Sequence, residues 1–375
     1  MGLQRYRIFG LCVETEFPFR TPLVPERDRA PVDLRFTCRP AERGAACRPP
    51  GPLLYASSDT NRYDESSLQL FDAGERLLLR FPRVADFHIP MAPGGGPQEI
   101  VCRLYAPEYE YMVEIYLLGD VLACYLELMG MSAVHASAVA VTVGARPATE
   151  CSASGQALLF SADRGGGKST LTASLLCAGF ALLSDDIAAL EIKGDAVICR
   201  PSYPQLKLNR EQALRFAGTA EGFPRVHPGF DKLSVLSNAL GPFCDSPLAV
   251  ARIYLLERKA KAEGMPRCEP VSPGEALVQL ARSSFLAEML EPAPEDNPCG
   301  DHGGSDGRAD NDRRDRAAKA GCGEGLGRAV RAARFQRLGA IVRSVPMRRL
   351  VYATGYEMLP GVHEAVRADL GGSVR

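Results

Sequence analysis

The chain has 375 residues and predicts an α/β protein, α+β over its whole length, on three observations. Its first hundred residues break into short apolar runs. One long segment then spaces apolar residues three and four apart, and the middle of the chain reads strand, glycine loop, helix, strand. At about 150 residues per domain, this length allows two hydrophobic cores.

From Tyr6 to about Tyr109, runs such as Ile8 to Val13, Leu77 to Leu79 and Ile100 to Cys102 stand between Pro and Gly clusters, which predicts a mostly β region over residues 1–110. Arg39 to Pro52 is rich in Pro, Gly and Arg and reads as a surface loop. Between Tyr111 and Met129, the residues Val113, Tyr116, Leu117, Val121, Cys124, Tyr125 and Leu128 recur at helical spacing, interrupted by Glu114, Asp120 and Glu127. This predicts one long amphipathic helix. An alternating strand over Ala138 to Val143 and the apolar run Ala157 to Phe160 lead into the glycines. Ser169 to Ala178 is helix-like and Phe180 to Ser184 reads as a buried strand, so that a βαβ-type unit is expected.

Further on, Ala249 to Leu256 predicts a strand, and Ser272, Pro273 and Glu275 supply the cap, first-turn and capping-box residues of a helix running to Leu290. Pro292 to Gly327 is dominated by Gly, Asp and Arg and cannot bury a face, which predicts a disordered insertion over residues 291–330. Pro346 to Leu370 returns to a strand and a short helix. Residues 331–375 are therefore expected to complete a second domain that begins at 111 and is interrupted at 290.

Composition excludes several classes. Lys plus Arg number 44 against 45 Asp plus Glu, leaving no positive field for a nucleic acid. No run approaches 18 apolar residues, and the start lacks a secretory signal, so no membrane partner is expected and the cytoplasm is the expected compartment. Twelve cysteines carry no C-x-x-C and no zinc spacing, as buried reduced thiols would.

The sharpest signal is Ser161-Ala162-Asp163-Arg164-Gly165-Gly166-Gly167-Lys168-Ser169-Thr170, the pattern G-x-x-x-x-G-K-[ST] with Ala162 in place of the first glycine. Successive backbone N–H groups and a helix N-terminus suit phosphate oxygens, Lys168 adds a full charge at the β and γ phosphates, and Ser169 offers a hydroxyl to Mg²⁺. The Lys168 signal is sharpened by its being the first lysine in the chain. A second signal is Leu182-Leu183-Ser184-Asp185-Asp186-Ile187, two carboxylates at the end of an apolar strand, where ligands of open α/β sheets bind. One suits Mg²⁺ and the other suits a hydroxyl proton. His135, in an apolar strand leading to the loop, reads by itself as a hydrogen-bonded core residue.

Together Val134 to Val141, the glycine loop and Leu182 to Leu190 resemble the catalytic domain of the HPr serine kinase/phosphorylase family, and more closely its stand-alone bacterial relatives. Tyr6 to Leu11, Pro201 to Leu208, His227 to Lys232 and Arg348 to Tyr352 extend the resemblance. It implies a P-loop-containing fold related to ATP-dependent phosphoenolpyruvate carboxykinase, and transfer of the γ-phosphate of ATP, with Mg²⁺, to a serine of a protein or peptide. It also implies nucleotide binding by Ala162 to Thr170, Mg²⁺ on Ser169 and Asp185, Asp186 as base, and His135 near the transferred phosphate. The run that follows the Asp pair in full-length members and their arginine-rich C-terminal loop are not found. The resemblance therefore does not extend to phosphorylase activity, to HPr as acceptor or to a hexamer, and homo-oligomerisation is left open. The residues alone also admit a small-molecule kinase, or a regulator that binds ATP without chemistry.

Overall fold

The computed structural model describes residues 2–42, 51–91, 94–142, 155–260, 266–285 and 330–371. Most of the expected insertion at 291–330 and part of the expected loop from Arg39 to Pro52 lie outside the described residues. The chain forms a mixed α/β structure with two large sheets.

The first sheet contains β1 (Gln4–Ile8), β2 (Leu11–Thr15), β3 (Val24–Pro25), β4 (Leu34–Pro40), β5 (Leu53–Ala56), β6 (Gln69–Asp72), β7 (Arg76–Phe81), β8 (Ala85–Pro90) and β9 (Gln98–Leu104), in the order β3-β1-β2-β4-β9-β8-β7-β6-β5. The apolar run from Ile8 to Val13 is not one strand. Phe9 and Gly10, at φ 51° and 70°, turn it into the β1–β2 hairpin, because two residues of positive φ match the twist of the flanking strands.

The expected single helix from Tyr111 to Met129 is broken. It runs as α1 (Glu110–Tyr116), a π turn over Leu117–Val121, and α2 (Leu122–Leu128). Its apolar residues Val113, Leu117, Val121, Leu122 and Leu126 pack on Phe36, Leu79, Phe87 and Ile100 of the first sheet, and Met131, Ala133, Ile187, Ala189 and Tyr203 join that same core. The helix thus belongs to the first core while touching the second sheet.

The second sheet comprises β10 (Ser132–Val134), β11 (Ala136–Thr142), β12 (Gly155–Ser161), β13 (Ala181–Ser184), β14 (Ala188–Lys193), β15 (Ala196–Arg200) and, after the hairpin of β16 (Gln205–Asn209) with β17 (Lys232–Leu236), β18 (Leu248–Lys259), β19 (Arg267–Pro270) and β20 (Met347–Ala353). Its order is β10-β14-β15-β18-β12-β11-β13, with β20 parallel to the second half of β18. Helices α3 (Lys168–Cys177), α4 (Arg210–Ala217) and α7 (Leu359–Gly371) cover one face; α5 (Pro273–Arg282) and α6 (330–344) cover the other. Strand alternation explains the unbroken apolar run of β12: Leu158 and Phe160 pack under α3, while Ala157 and Leu159 face α5 and α6. Ser272 caps α5 as its sequence implies, accepting from the Glu275 N–H at 3.3 Å.

The βαβ expectation needs one correction. Strands β12 and β13 flank α3 in sequence, but β11 lies between them in the sheet, antiparallel to both. Among the described residues no helix is long and apolar enough to cross a membrane. Of the eight cysteines among the described residues, Cys177 is exposed rather than buried, and Cys38 and Cys268 are only partly buried.

Candidate functional site

The glycine loop leaves the end of β12 and enters α3 at Lys168, where Gly167 occupies the left-handed region at φ 97°. The Gly166 N–H closes a turn on the Asp163 carbonyl at 2.9 Å. A side chain at 166 would meet Ala162 Cβ at 2.5 Å and the Asp163 carbonyl oxygen at 2.8 Å. Ala162, the departure from the glycine pattern, does not require positive φ, so its methyl is accommodated as long as residue 166 has none. In the phosphate-binding role that the sequence pattern leads one to expect of this loop, Gly166→Ala should force the loop open and weaken MgATP affinity by at least about tenfold, a larger loss than the few degrees of melting temperature that overpacking costs. Isothermal titration beside a thermal melt checks this, and unchanged affinity would show that the loop's curvature is not used.

Lys168 is 8% exposed, and its ammonium donates to the carbonyl oxygens of Ala162 at 2.6 Å and Asp163 at 3.3 Å. Burial lowers its pKa, with Asp186 and Asp185 acting in the opposite direction. Arg258, at the end of β18, donates to the Gly165 carbonyl and lies against Gly167. Beside them opens a cleft of about 220 Å³ lined by Thr170, Leu171, Gln212, Arg258, Tyr352 and Tyr356. Gln212 Nε2 donates to Thr170 Oγ1 at 2.6 Å across it.

Although β13 is one strand removed from the loop strand, its end still brings the Asp pair to the loop. Asp185 is buried: its Oδ1 accepts from Ser137 Oγ at 2.7 Å and from Ser169 Oγ at 3.4 Å, and its Oδ2 accepts from the Lys207 N–H at 3.0 Å. Asp186 follows at φ 71°, a conformation that Asp tolerates better than most residues, and this reverses the direction of its side chain relative to Asp185. Its Oδ2 accepts from Lys207 Nζ at 2.7 Å, and its Oδ1 lies 3.3 Å from His135 Nδ1. Burial raises the Asp186 pKa, but Lys207, His135 and Lys232 outweigh it and hold the carboxyl well below its ordinary value. His135 Nδ1 also lies 3.0 Å from the Asp186 carbonyl oxygen. An Nδ1 facing two oxygens carries the ring proton, leaving Nε2 with its lone pair, and burial lowers the His135 pKa toward this neutral form.

The structure brings Lys168, Ser169, Asp185, Asp186 and His135 together. Sequence reading missed Ser137, Lys207 and Arg258. A signal for Lys207 existed: lysine is rare, seven in the chain, and Lys168, Lys207 and Lys232 all act on Asp186 or its surroundings. The donor set of Ser169 and Asp185 fits a hard dication, since a hydroxyl and a carboxylate are oxygen ligands of the class Mg²⁺ takes alongside phosphate and water. Among the described residues no group of three or more His, Cys, Asp or Glu is gathered to hold a metal by itself.

No protein-family model and no curated protein matches the chain. Among solved structures it is similar to the HPr(Ser) kinase/phosphatase from Coxiella burnetii at 10% identity and a TM-score of 0.30, over 64% of this chain and 97% of that one. At that TM-score the likeness assigns no activity to this chain.

Proposed function

We propose that the chain is an ATP- and Mg²⁺-dependent phosphotransferase acting on a hydroxyl, with a serine of a protein or peptide as the acceptor class that the sequence resemblance implies. One observation carries this reading. The hydroxyl of Ser169, on the helix behind the glycine loop, lies 3.4 Å from the buried carboxylate of Asp185 just beyond the end of β13, with Lys168 next to the serine in the chain. A regulator that only bound nucleotide would not need a second carboxylate anchored by Lys207 and His135 next to that pair.

Each residue then has a role. Lys168 would exchange two neutral carbonyl partners for β and γ phosphate oxygens, a stronger charge-assisted pairing. Ser169 and Asp185 would hold Mg²⁺, which would supply positive charge against the phosphates. The cleft beside Thr170 and Gln212 would take the nucleoside, with Arg258 at the junction between cleft and loop. Asp186, to which the resemblance gives the role of base, faces the acceptor side with Lys207 and His135.

Incubation with γ-labelled ATP, Mg²⁺ and host lysate tests the reading. Label entering a protein band is the expected result. Label in a metabolite would make the chain a small-molecule kinase, and tight ATP binding with no transfer, even to water, would make it a nucleotide-binding regulator.

A further inference from the structure

Strand β18 outruns the strand that carries the glycine loop. Its last pair with β12 is Leu255 opposite Ser161, and it then continues through Leu256, Glu257 and Arg258, still paired with β20 as far as Lys259 opposite Ala353. Three residues of strand carry Arg258 about 10 Å past the end of β12, alongside the glycine loop. Side chains two apart on a strand share a face. Tyr254 and Leu256 pack in the core under α3, so Arg258 points to the same side. Tyr352, its registered neighbour on β20, is buried in that core as well.

The guanidinium meets the loop at two places. It donates to the Gly165 carbonyl, and a Cβ on Gly167 would meet its Nε at 3.2 Å and its Cδ and Cζ at 3.3 Å. Gly167, at φ 97°, carries no Cβ, and so the arginine lies along the turn. Arg258 also lines the cleft of about 220 Å³ with Thr170, Tyr352 and Tyr356. Tyr356 is braced from α4, with Arg215 over its ring at 5.1 Å and Phe216 edge-on at 5.8 Å, so that wall of the cleft is fixed without help from Arg258. A carbonyl oxygen is a modest partner for a full charge, and the planar fork of a guanidinium is shaped to pair two anionic oxygens at once.

We propose that Arg258 binds the α-phosphate of the nucleotide, an inference that rests on the nucleotide binding in the phosphotransfer reading. In that reading Lys168 takes the β and γ phosphates and the cleft takes the nucleoside. The α-phosphate is the group joined covalently to both. Arg258 is the cation that touches the glycine loop and lines the cleft, so the α-phosphate falls to it. Binding exchanges a neutral carbonyl for two anionic oxygens, a stronger pairing that holds the nucleotide in register between cleft and loop. Arg258 does not touch the transferred group. It is a binding residue, and the roles of Asp185 and Asp186 stay as they are.

The experiment compares parent, Arg258→Ala and Arg258→Lys by isothermal titration with MgATP and MgADP, phosphorus NMR of the MgADP-saturated protein, and thermal melts. Arg258 is exposed and Tyr356 is braced by other residues, so the three proteins should melt within a few degrees of one another. Arg258→Ala should weaken MgATP and MgADP by the same factor, about 10- to 10²-fold, as expected for a hydrogen bond between charged groups. The α-phosphorus resonance of bound MgADP should move more than the β resonance. Arg258→Lys keeps a point charge without the fork and should recover part of the lost affinity. An arginine that only props the loop would instead move the β resonance at least as far as the α, and that result would overturn the proposal. So would parental affinity in Arg258→Ala, or a loss confined to MgATP, which would put Arg258 at the γ-phosphate. In each of these cases the parent still binds nucleotide and the phosphotransfer reading stands. A parent that binds neither nucleotide would overturn that reading and the role of Arg258 with it.

Discussion

Lys168→Ala should abolish measurable MgATP binding, a loss of at least about 10²-fold, while leaving the fold at least as stable as the parent. The two effects part because the ammonium is 8% exposed and its partners within the chain are two neutral carbonyl oxygens, so burying its charge costs more than those bonds return. Its folded pKa is lowered, chiefly by burial, so the penalty persists at neutral pH and is relieved only as pH rises from that lowered value toward the unfolded 10.5. The parent should gain on the variant only under alkaline conditions. Fluorescent-ATP titration and thermal melts on the same preparations check both halves. Retained affinity would show that the glycine loop is an ordinary turn opening a helix.

The second large effect separates the two aspartates. Asp185→Asn replaces an oxygen ligand by an amide at a carboxylate that already accepts three hydrogen bonds, so nucleotide affinity should lose most of its dependence on Mg²⁺. Asp186→Asn should instead bind MgATP like the parent and lose transfer by roughly 10²-fold or more, because Lys207 and His135 lose the anion that orients them. It should also destabilise the fold by about 1–3 kcal/mol, between the values typical of exposed and fully buried pairs, since it leaves a half-buried ammonium without its counterion. The carboxyl of Asp186 is held below its unfolded value of 3.8, so its contribution is present above that pH and lost as pH falls through the depressed folded value. Metal-dependent binding isotherms and acid denaturation curves for the two variants measure these outcomes. If both variants bound and transferred like the parent, the Asp pair would serve the fold and not the chemistry.

The local parts of the site were legible in the sequence because each is confined to a few consecutive residues. Ser161 to Thr170 carries strand end, turn and helix start within ten positions, and the polypeptide has few ways to connect them except with Gly165, Gly166 and Gly167 curving around Ala162. Asp185 and Asp186 ending an apolar run, and Ser272 and Glu275 opening a helix, are local in the same sense. Periodicity also placed an amphipathic helix near residues 111–129. It could not show the break at Gly119, because a spacing rule counts Asp120 as one polar interruption and takes no account of what burying a carboxylate costs.

The remainder was decided by tertiary structure. Which strand lies beside which is set by burial across elements far apart in the chain: β11 enters between β12 and β13, and both faces of the sheet are then covered. Lys207 reaches Asp186 because the β16–β17 hairpin packs Leu206, Leu208 and Val235 under the same helices that carry the loop. The sequence by itself determined the turn of the glycine loop and the place of the two carboxylates at the end of an apolar strand, because both are local to a few consecutive residues. Only the packing of two cores against one another determined which charges surround them, since desolvation and Coulomb attraction act through space, without regard to distance along the chain.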